Sequence, residues 1–263
     1  MKKLYTLLAL TISFIMNAQL TAVTEGGNTG QRLSTSNASN HGNIGSDAVD
    51  LSVQSLASST RGATGFKAVA MGSNTTASGS YSTAIGLYAT ASDYSSTVIG
   101  QHNSSGSSVT NNATSFSTSN TAFVIGNGEN SDNKSDAFKV MFDGTTTIAG
   151  DLTINSDARL KANITSLGGT LAKLLKIDGK SYTMKKDQSE KQKIGLLAQD
   201  IQKVFPELVL ESQGIKSVNY QGLVPVIINA LKEQDRKMKE QDRKMREQEE
   251  RLERLERLVA NMD

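Results

Sequence analysis

Three glycines fall at a fixed interval: Gly72, Gly86 and Gly100 lie 14 residues apart, and each closes a short apolar block. The blocks read Val69-Ala70-Met71-Gly72, Thr83-Ala84-Ile85-Gly86 and Thr97-Val98-Ile99-Gly100. A fourth, Phe123-Val124-Ile125-Gly126, follows after 26 residues, out of phase, and implies irregular turns between. Gly65, Gly79 and Asp93 keep the same interval of 14 in a second column. A 14-residue unit holds two short strands and two turns, one coil of a β-solenoid, and cannot bury a core alone. Stacking such coils pairs each backbone with its neighbours and aligns side chains in columns. Adjacent residues of a strand point to opposite faces. One of the columns Ala70/Ala84/Val98 and Met71/Ile85/Ile99 therefore fills a thin interior, and the other meets something outside, most simply a second copy of the chain. Glycine recurs where a tight corner needs positive φ. Composition alone, rich in Ser, Thr, Asn and Gly, would favour a disordered linker; the strict phase argues against that.

This pattern resembles the head repeats of trimeric autotransporter adhesins over about residues 62–105, with Asn43-Ile44-Gly45 as an irregular first coil. The resemblance implies left-handed parallel β-rolls, three of them associated side by side. It departs from those adhesins at the C-terminus. They end in a membrane-embedded β-barrel, whereas this sequence ends in a charged helical pattern, so attachment by that route is not expected.

Charge divides the chain. Residues 20–150 carry 13 charged side chains and residues 151–263 carry 39. The two stretches cannot share one architecture. With a net charge of +2 there is no support for a general nucleic-acid binder. There is no Cys, hence no disulfide, thiolate metal site or lipid-modified cysteine. His41 and His102 are the only histidines, too few for a histidine metal cluster, and no cofactor is expected. At the N-terminus Lys2 and Lys3 precede an apolar run from Leu4 to Met16, then Asn17-Ala18-Gln19. That order describes a secretory signal peptide over residues 1–18, cleaved after Ala18, with an uncleaved N-terminal anchor as the alternative. No later stretch is apolar enough to span a membrane, so the expected location is secreted or at the cell surface.

Past residue 120 the texture changes. Phe138, Val140 and Phe142 alternate with Lys139 and Met141, Asp143-Gly144 signals a turn, and Thr145–Ile148 resumes, which reads as a β-hairpin or strand-rich stalk. Another short strand, Leu152-Thr153-Ile154, runs into Asn155-Ser156-Asp157-Ala158-Arg159-Leu160-Lys161-Ala162-Asn163-Ile164. The Ser-Asp-x-Arg-Leu-Lys-x-Asn-Ile string resembles the opening motif of endosialidase-type C-terminal intramolecular chaperone domains, found at the ends of tail spikes and tail fibres. Two later blocks match in order: Ile194-Gly195-Leu196-Leu197-Ala198-Gln199-Asp200-Ile201 through Phe205-Pro206-Glu207-Leu208-Val209, and Ser217-Val218-Asn219-Tyr220 before an apolar helix.

What the resemblance implies is a self-cleaving serine peptidase acting once. Ser156 takes the nucleophile's position and Lys161 that of its base, and the bond cut is Asn155–Ser156. The chemistry is coherent. A hydroxyl is a poor nucleophile until a base takes its proton, and a lysine is a base only when burial leaves it neutral. A trimer interface would supply that burial. Attack by Ser156 on the preceding carbonyl, an N-to-O acyl shift followed by hydrolysis, and attack by a neighbouring route both stay open. Read without the resemblance, Ser156 or Asp157 caps a short helix, with Arg159 and Lys161 solvated. Asp157 and Arg159 are expected to orient the turn, Tyr182, Tyr220 and Pro206 to be core and turn residues, and Gly168-Gly169 to be a loop.

The seven residues Lys232–Met238 are repeated identically at Lys239–Met245. One seam carries Val224, Leu231, Met238, Met245, Leu252 and Val259, and three residues on lie Ile227, Gln234, Gln241, Gln248, Leu255 and Met262. Spacings alternating between three and four are those of a coiled coil, and so long a helix has no stability without partners.

The expected fold class is a mainly β N-terminal half followed by an α+β chaperone domain ending in a long coiled-coil helix. The divisions are residues 1–18 signal peptide, 19–119 solenoid head, 120–155 β-stalk, 156–222 chaperone domain and 223–263 coiled coil. The expected molecule is an exported homotrimeric, adhesin-like fibre whose chaperone domain trimerises it and then cuts itself off. Its rivals are the same fibre with a non-cleaving clamp, and a phage-type receptor-binding fibre. The sequence names no ligand for the head, for which a host or cell-surface glycan or protein is the candidate.

Overall fold

A computed structural model describes residues 20–185 and 190–261; the signal-peptide reading of residues 1–18 lies outside them. The chain divides into two compact units, Met1–Asn155 and Ser156–Asp263.

The first unit is built from stacked coils. β1 (Leu20–Glu25) and β2 (Asn28–Leu33) form an antiparallel hairpin. Upon β2 stack, in parallel and in order, β3 (Val49–Val53), β5 (Val69–Ser73), β7 (Thr83–Leu87), β9 (Thr97–Gln101) and β10 (Thr121–Asn127). β11 (Asp136–Met141) and β12 (Thr146–Ile148) extend this nine-stranded sheet by antiparallel pairing. Each repeat also gives a two-residue strand, β4 (Gly62–Ala63), β6 (Thr76–Ala77) and β8 (Thr90–Ala91), which form a second parallel sheet. Two strands and two turns per 14 residues is the coil the interval implied.

The register settles which column is inside. Asp50, Ala70, Ala84, Val98 and Val124 pair in succession, and all are fully buried. Ala63, Ala77 and Ala91 of the second sheet face them across a core made mostly of alanine. The neighbouring column turns outward, leaving Met71 40% and Ile85 37% exposed. The fourth block, out of phase in the sequence, is in phase in space: Val124 pairs with Val98 and Gly126 with Gly100.

Glycine serves two purposes here, and the sequence had pointed to only one. Gly72, Gly86 and Gly100 do have positive φ, at 113°, 134° and 97°, but within the strands. The corners are turned by left-handed residues that are not glycine: Lys67, Tyr81 and Ser95 in one column, Asn74, Tyr88 and His102 in another. Gly65 and Gly79 are glycine for space. A Cβ on Gly65 would lie 2.2 Å from the Gly79 carbonyl oxygen, and one on Gly79 would lie 2.1 Å from that of Asp93.

Both ends of the roll are closed by polar side chains. At one end the regular stack stops at the coil of Asp93, whose buried carboxylate accepts the amides of Thr110 (2.6 Å) and Thr121 (2.8 Å). Beside it the Asn103 amide group bonds both the N–H and the carbonyl of Thr90, at 2.8 Å each, as a further strand would. At the other end Arg32 pairs with Asp50 and so continues the interior column. Arg32 Nη1 donates to Glu25 Oε1 at 2.6 Å and Nη2 to the Gly42 carbonyl at 3.0 Å, while Asp50 Oδ2 lies 2.8 Å from His41 Nδ1. Burial raises the Asp50 carboxyl, but the hydrogen bonds from His41 and Ser52 outweigh it and hold it below its ordinary value. The same holds for Glu25, where the Arg32 and Ile44 bonds outweigh burial. Asn43-Ile44-Gly45 is an irregular coil as expected: the Gly45 amide bonds the Ala63 carbonyl and Ile44 is fully buried.

The Asp143-Gly144 turn joins β11 to β12, with Gly144 at φ 86° and Asp143 Oδ1 accepting the Thr145 amide at 2.7 Å. The strand expected at Leu152–Ile154 does not form. Nothing among the described residues pairs with it, and Leu152 and Ile154 are exposed.

The second unit packs α1 (Thr170–Leu174), α2 (Ala198–Val204) and the hairpin of β15 (Val209–Ser212) and β16 (Ile215–Val218) around the start of α3 (Leu223–Ala260), and carries a further hairpin of β13 (Lys180–Tyr182) and β14 (Lys193–Gly195). Its core is Ile201, Phe205, Leu223 and Val226. Only the first turns of α3 are covered. Leu223, Val226 and Ala230 are buried, whereas the seam residues Val224, Leu231, Met238, Met245, Leu252 and Val259 are all exposed. The helix thus turns one face to its own unit and leaves the heptad face bare.

Candidate functional site

The residues singled out at the junction meet in one short turn. Asp157 is extended and its side chain accepts the Arg159 amide at 2.8 Å, capping a single 3-10 turn over Ala158–Leu160. The Leu160 and Lys161 amides close that turn on the carbonyls of Asp157 and Ala158. The reversal brings Lys161 back onto Ser156, and Lys161 Nζ donates to Ser156 Oγ at 2.8 Å. Both side chains are exposed in the single chain.

Arg159 does not reach Ser156. Its guanidinium forks onto the Asp157 carboxylate, with Nη2 2.6 Å from Oδ2. The Arg159 side chain and then its amide hold the Asp157 carboxyl below its usual range, and the same pair raises the guanidinium. Asp157 and Arg159 therefore orient the turn, as read from the sequence, and among the described residues Ser156 Oγ is bonded by Lys161.

Two tyrosines expected in the core are instead partly exposed. Tyr220 accepts the Leu196 amide on its hydroxyl at 2.9 Å, and both Tyr182 and Tyr220 hydroxyls crowd Gly195, where an added Cβ would lie 3.1 and 2.9 Å from them. Pro206 opens a 3-10 turn and Gly169 sits in a left-handed loop at φ 64°, in line with the sequence reading.

A contact that sequence reasoning missed ties α3 to the loop after the site. Glu233 accepts the Thr170 amide (2.8 Å), the Thr170 hydroxyl (2.9 Å) and the Leu171 amide (3.2 Å). Those bonds, the Thr170 amide first, lower the Glu233 carboxyl. Asn229 Nδ2 donates to the Leu167 carbonyl at 3.1 Å. The signal was present in the heptad: Asn229 and Glu233 stand off the seam, on the face that carries Val226 and Ala230.

Among the described residues no cluster of His, Asp and Glu could hold a metal ion, and no helix is long and apolar enough to cross a membrane.

Comparisons with known proteins agree with this division. Residues 156–210 match the family model described as chaperone of endosialidase, a match that starts at Ser156, where the second unit starts. Residues 63–89 and 82–103 match two copies of the YadA head domain repeat. The long tail fiber protein Gp37 of Escherichia phage AR1 is 31% identical over 100 residues, which is 35% of this chain and 9% of that protein. No solved structure matches the chain significantly.

Proposed function

We propose that this chain is an exported, homotrimeric, adhesin-like fibre whose second unit is an intramolecular chaperone that assembles the trimer and then cuts Asn155–Ser156. The observation that carries the cleavage reading is the 2.8 Å hydrogen bond from Lys161 to Ser156, at the first residue of the second unit. In the reaction Ser156 Oγ attacks the Asn155 carbonyl carbon and gives its proton to a neutral Lys161 amine. The Asn155–Ser156 C–N bond breaks as the nitrogen takes up a proton. Water then hydrolyses the resulting ester, leaving an Asn155 carboxylate and a free Ser156 amino terminus. Because both side chains are exposed in one chain, the burial that Lys161 needs comes from neighbouring protomers, so cleavage follows assembly.

Two bare apolar surfaces support the trimer: the outward column of the roll and the heptad face of α3. The test is a denaturing gel of residues 19–263 after assembly. Two fragments are expected, the smaller with 108 residues and beginning Ser-Asp-Ala-Arg. Ser156→Ala and Lys161→Ala should each leave one intact band. A wild-type trimer that stays whole would instead identify a permanent clamp.

The likeness to a phage tail fibre protein favours a second reading, a receptor-binding tail fibre. Amino-terminal sequencing separates the two: a mature chain starting at Gln19 supports export, and a retained Met1 supports the tail fibre.

A further inference from the structure

On the side of the first unit formed by the two-residue strands runs an open groove of about 1070 Å³. Its floor is a hydroxyl ladder. Thr76 pairs in register with Thr90, and Ser78 donates to Ser92 at 3.1 Å. Residues 57–61 of the irregular first coil form a wall, and Ser107 from the loop before β10 lines the groove as well. No carboxylate and no apolar side chain larger than alanine lines it. Two basic side chains do. Arg61 uses Nη1 on Asn74 Oδ1 at 3.0 Å and lies over the Tyr88 ring, 5.2 Å from its centroid; its Nε and Nη2 have no hydrogen-bond partner among the described residues. His41 is 6% exposed; its Nδ1 is held by Asp50, and its Nε2 has no partner among the described residues.

We infer that this groove binds an oligosaccharide carrying acidic groups. A hydroxyl ladder both donates and accepts, which matches a ligand made of hydroxyls. A peptide would need apolar pockets for its side chains, and the groove offers none. Arg61 supplies a fork for a carboxylate or sulfate, and the absence of lining acids leaves that anion unopposed. The inference rests on the fibre reading, because the apolar face of the long strands is then turned to partner protomers and the hydroxyl groove to the outside.

The experiment is binding of the assembled full chain to an immobilised array of neutral and acidic glycans and of collagen-like and other peptides, with light scattering on the same sample. Retention of acidic glycans, at least tenfold above their neutral counterparts, is expected. Arg61→Gln should reduce it tenfold or more. Ser78→Leu, an outward substitution that blocks the ladder without touching the interior, should abolish it while the circular dichroism spectrum stays unchanged. A trimer that retains no acidic glycan, or retains peptides instead, overturns the groove's assignment and leaves the fibre standing. Retention that survives Ser78→Leu overturns it too. A chain that is not trimeric by light scattering counts against the fibre reading itself.

Discussion

A methyl group at the wrong place is enough to unstack this roll. At Gly86 an added Cβ would lie 1.9 Å from the Gly100 carbonyl oxygen, and the residue sits at φ 134°, outside what an L side chain adopts. Gly86→Ala should lower the stability of the first unit by about 2–4 kcal/mol in urea denaturation. Ser82→Ala is the contrasting case. Its buried hydroxyl has no partner, so its removal should leave stability unchanged or slightly raised. At the Arg32 end, Asp50 is fully buried and bonded by His41 and Ser52. Asp50→Ala should cost about 3–5 kcal/mol by leaving His41 without its acceptor and removing the carboxylate that lies 3.4 Å from Arg32 Nε. The Asp50 and Glu25 carboxyls lie below their ordinary values in the folded unit. Their contribution is therefore complete above the unfolded-state values near 4 and is lost as pH falls through the lower folded ones. Thermal melting should accordingly drop below about pH 4, and the drop should shrink in Asp50→Asn. At this scale the sequence was only partly legible. The interval exposed the columns, but it could not say that Gly65 and Gly79 answer to a neighbouring carbonyl rather than to φ. Nor could it say that Asp93 takes the glycine position because the regular stack ends there. Both follow from contacts between coils, which no single repeat contains.

Among the elements, α3 was the most legible and Leu152–Ile154 the least. A heptad is a local pattern, and it foretold the helix; among the described residues nothing covers its apolar seam. Leu231 is 60% exposed. Leu231→Asp should convert the trimer to monomer in light scattering while leaving the buried face of Leu223, Val226 and Ala230 intact. Leu152-Thr153-Ile154 has the pattern of a strand but pairs with no edge among the described residues, and a strand without a partner does not form. The fourth apolar block shows the opposite case. Out of phase along the chain, it still joins the stack, since residues 102–120 loop out and fold back on Asp93 and Thr90.

At the scale of the molecule, a roll with an alanine core buries little apolar surface per coil, and its parallel pairings must nucleate between distant segments, which is slow. A second unit that carries its own core and a long bare seam is a physical answer to that difficulty. The division of charge near residue 150, the boundary between the two units and the Ser156–Lys161 contact all fall within a few residues of one another. In the proposed function it is assembly that licenses the cut. The most direct test is to refold the full chain over a range of concentrations and to follow oligomer and intact mass together. Conversion to a fragment ending at Asn155 should track trimer formation, and Leu231→Asp should leave the precursor whole at every concentration. Cleavage of a monomer at the wild-type rate, or a stable trimer in which Asn155–Ser156 is never cut, would contradict it.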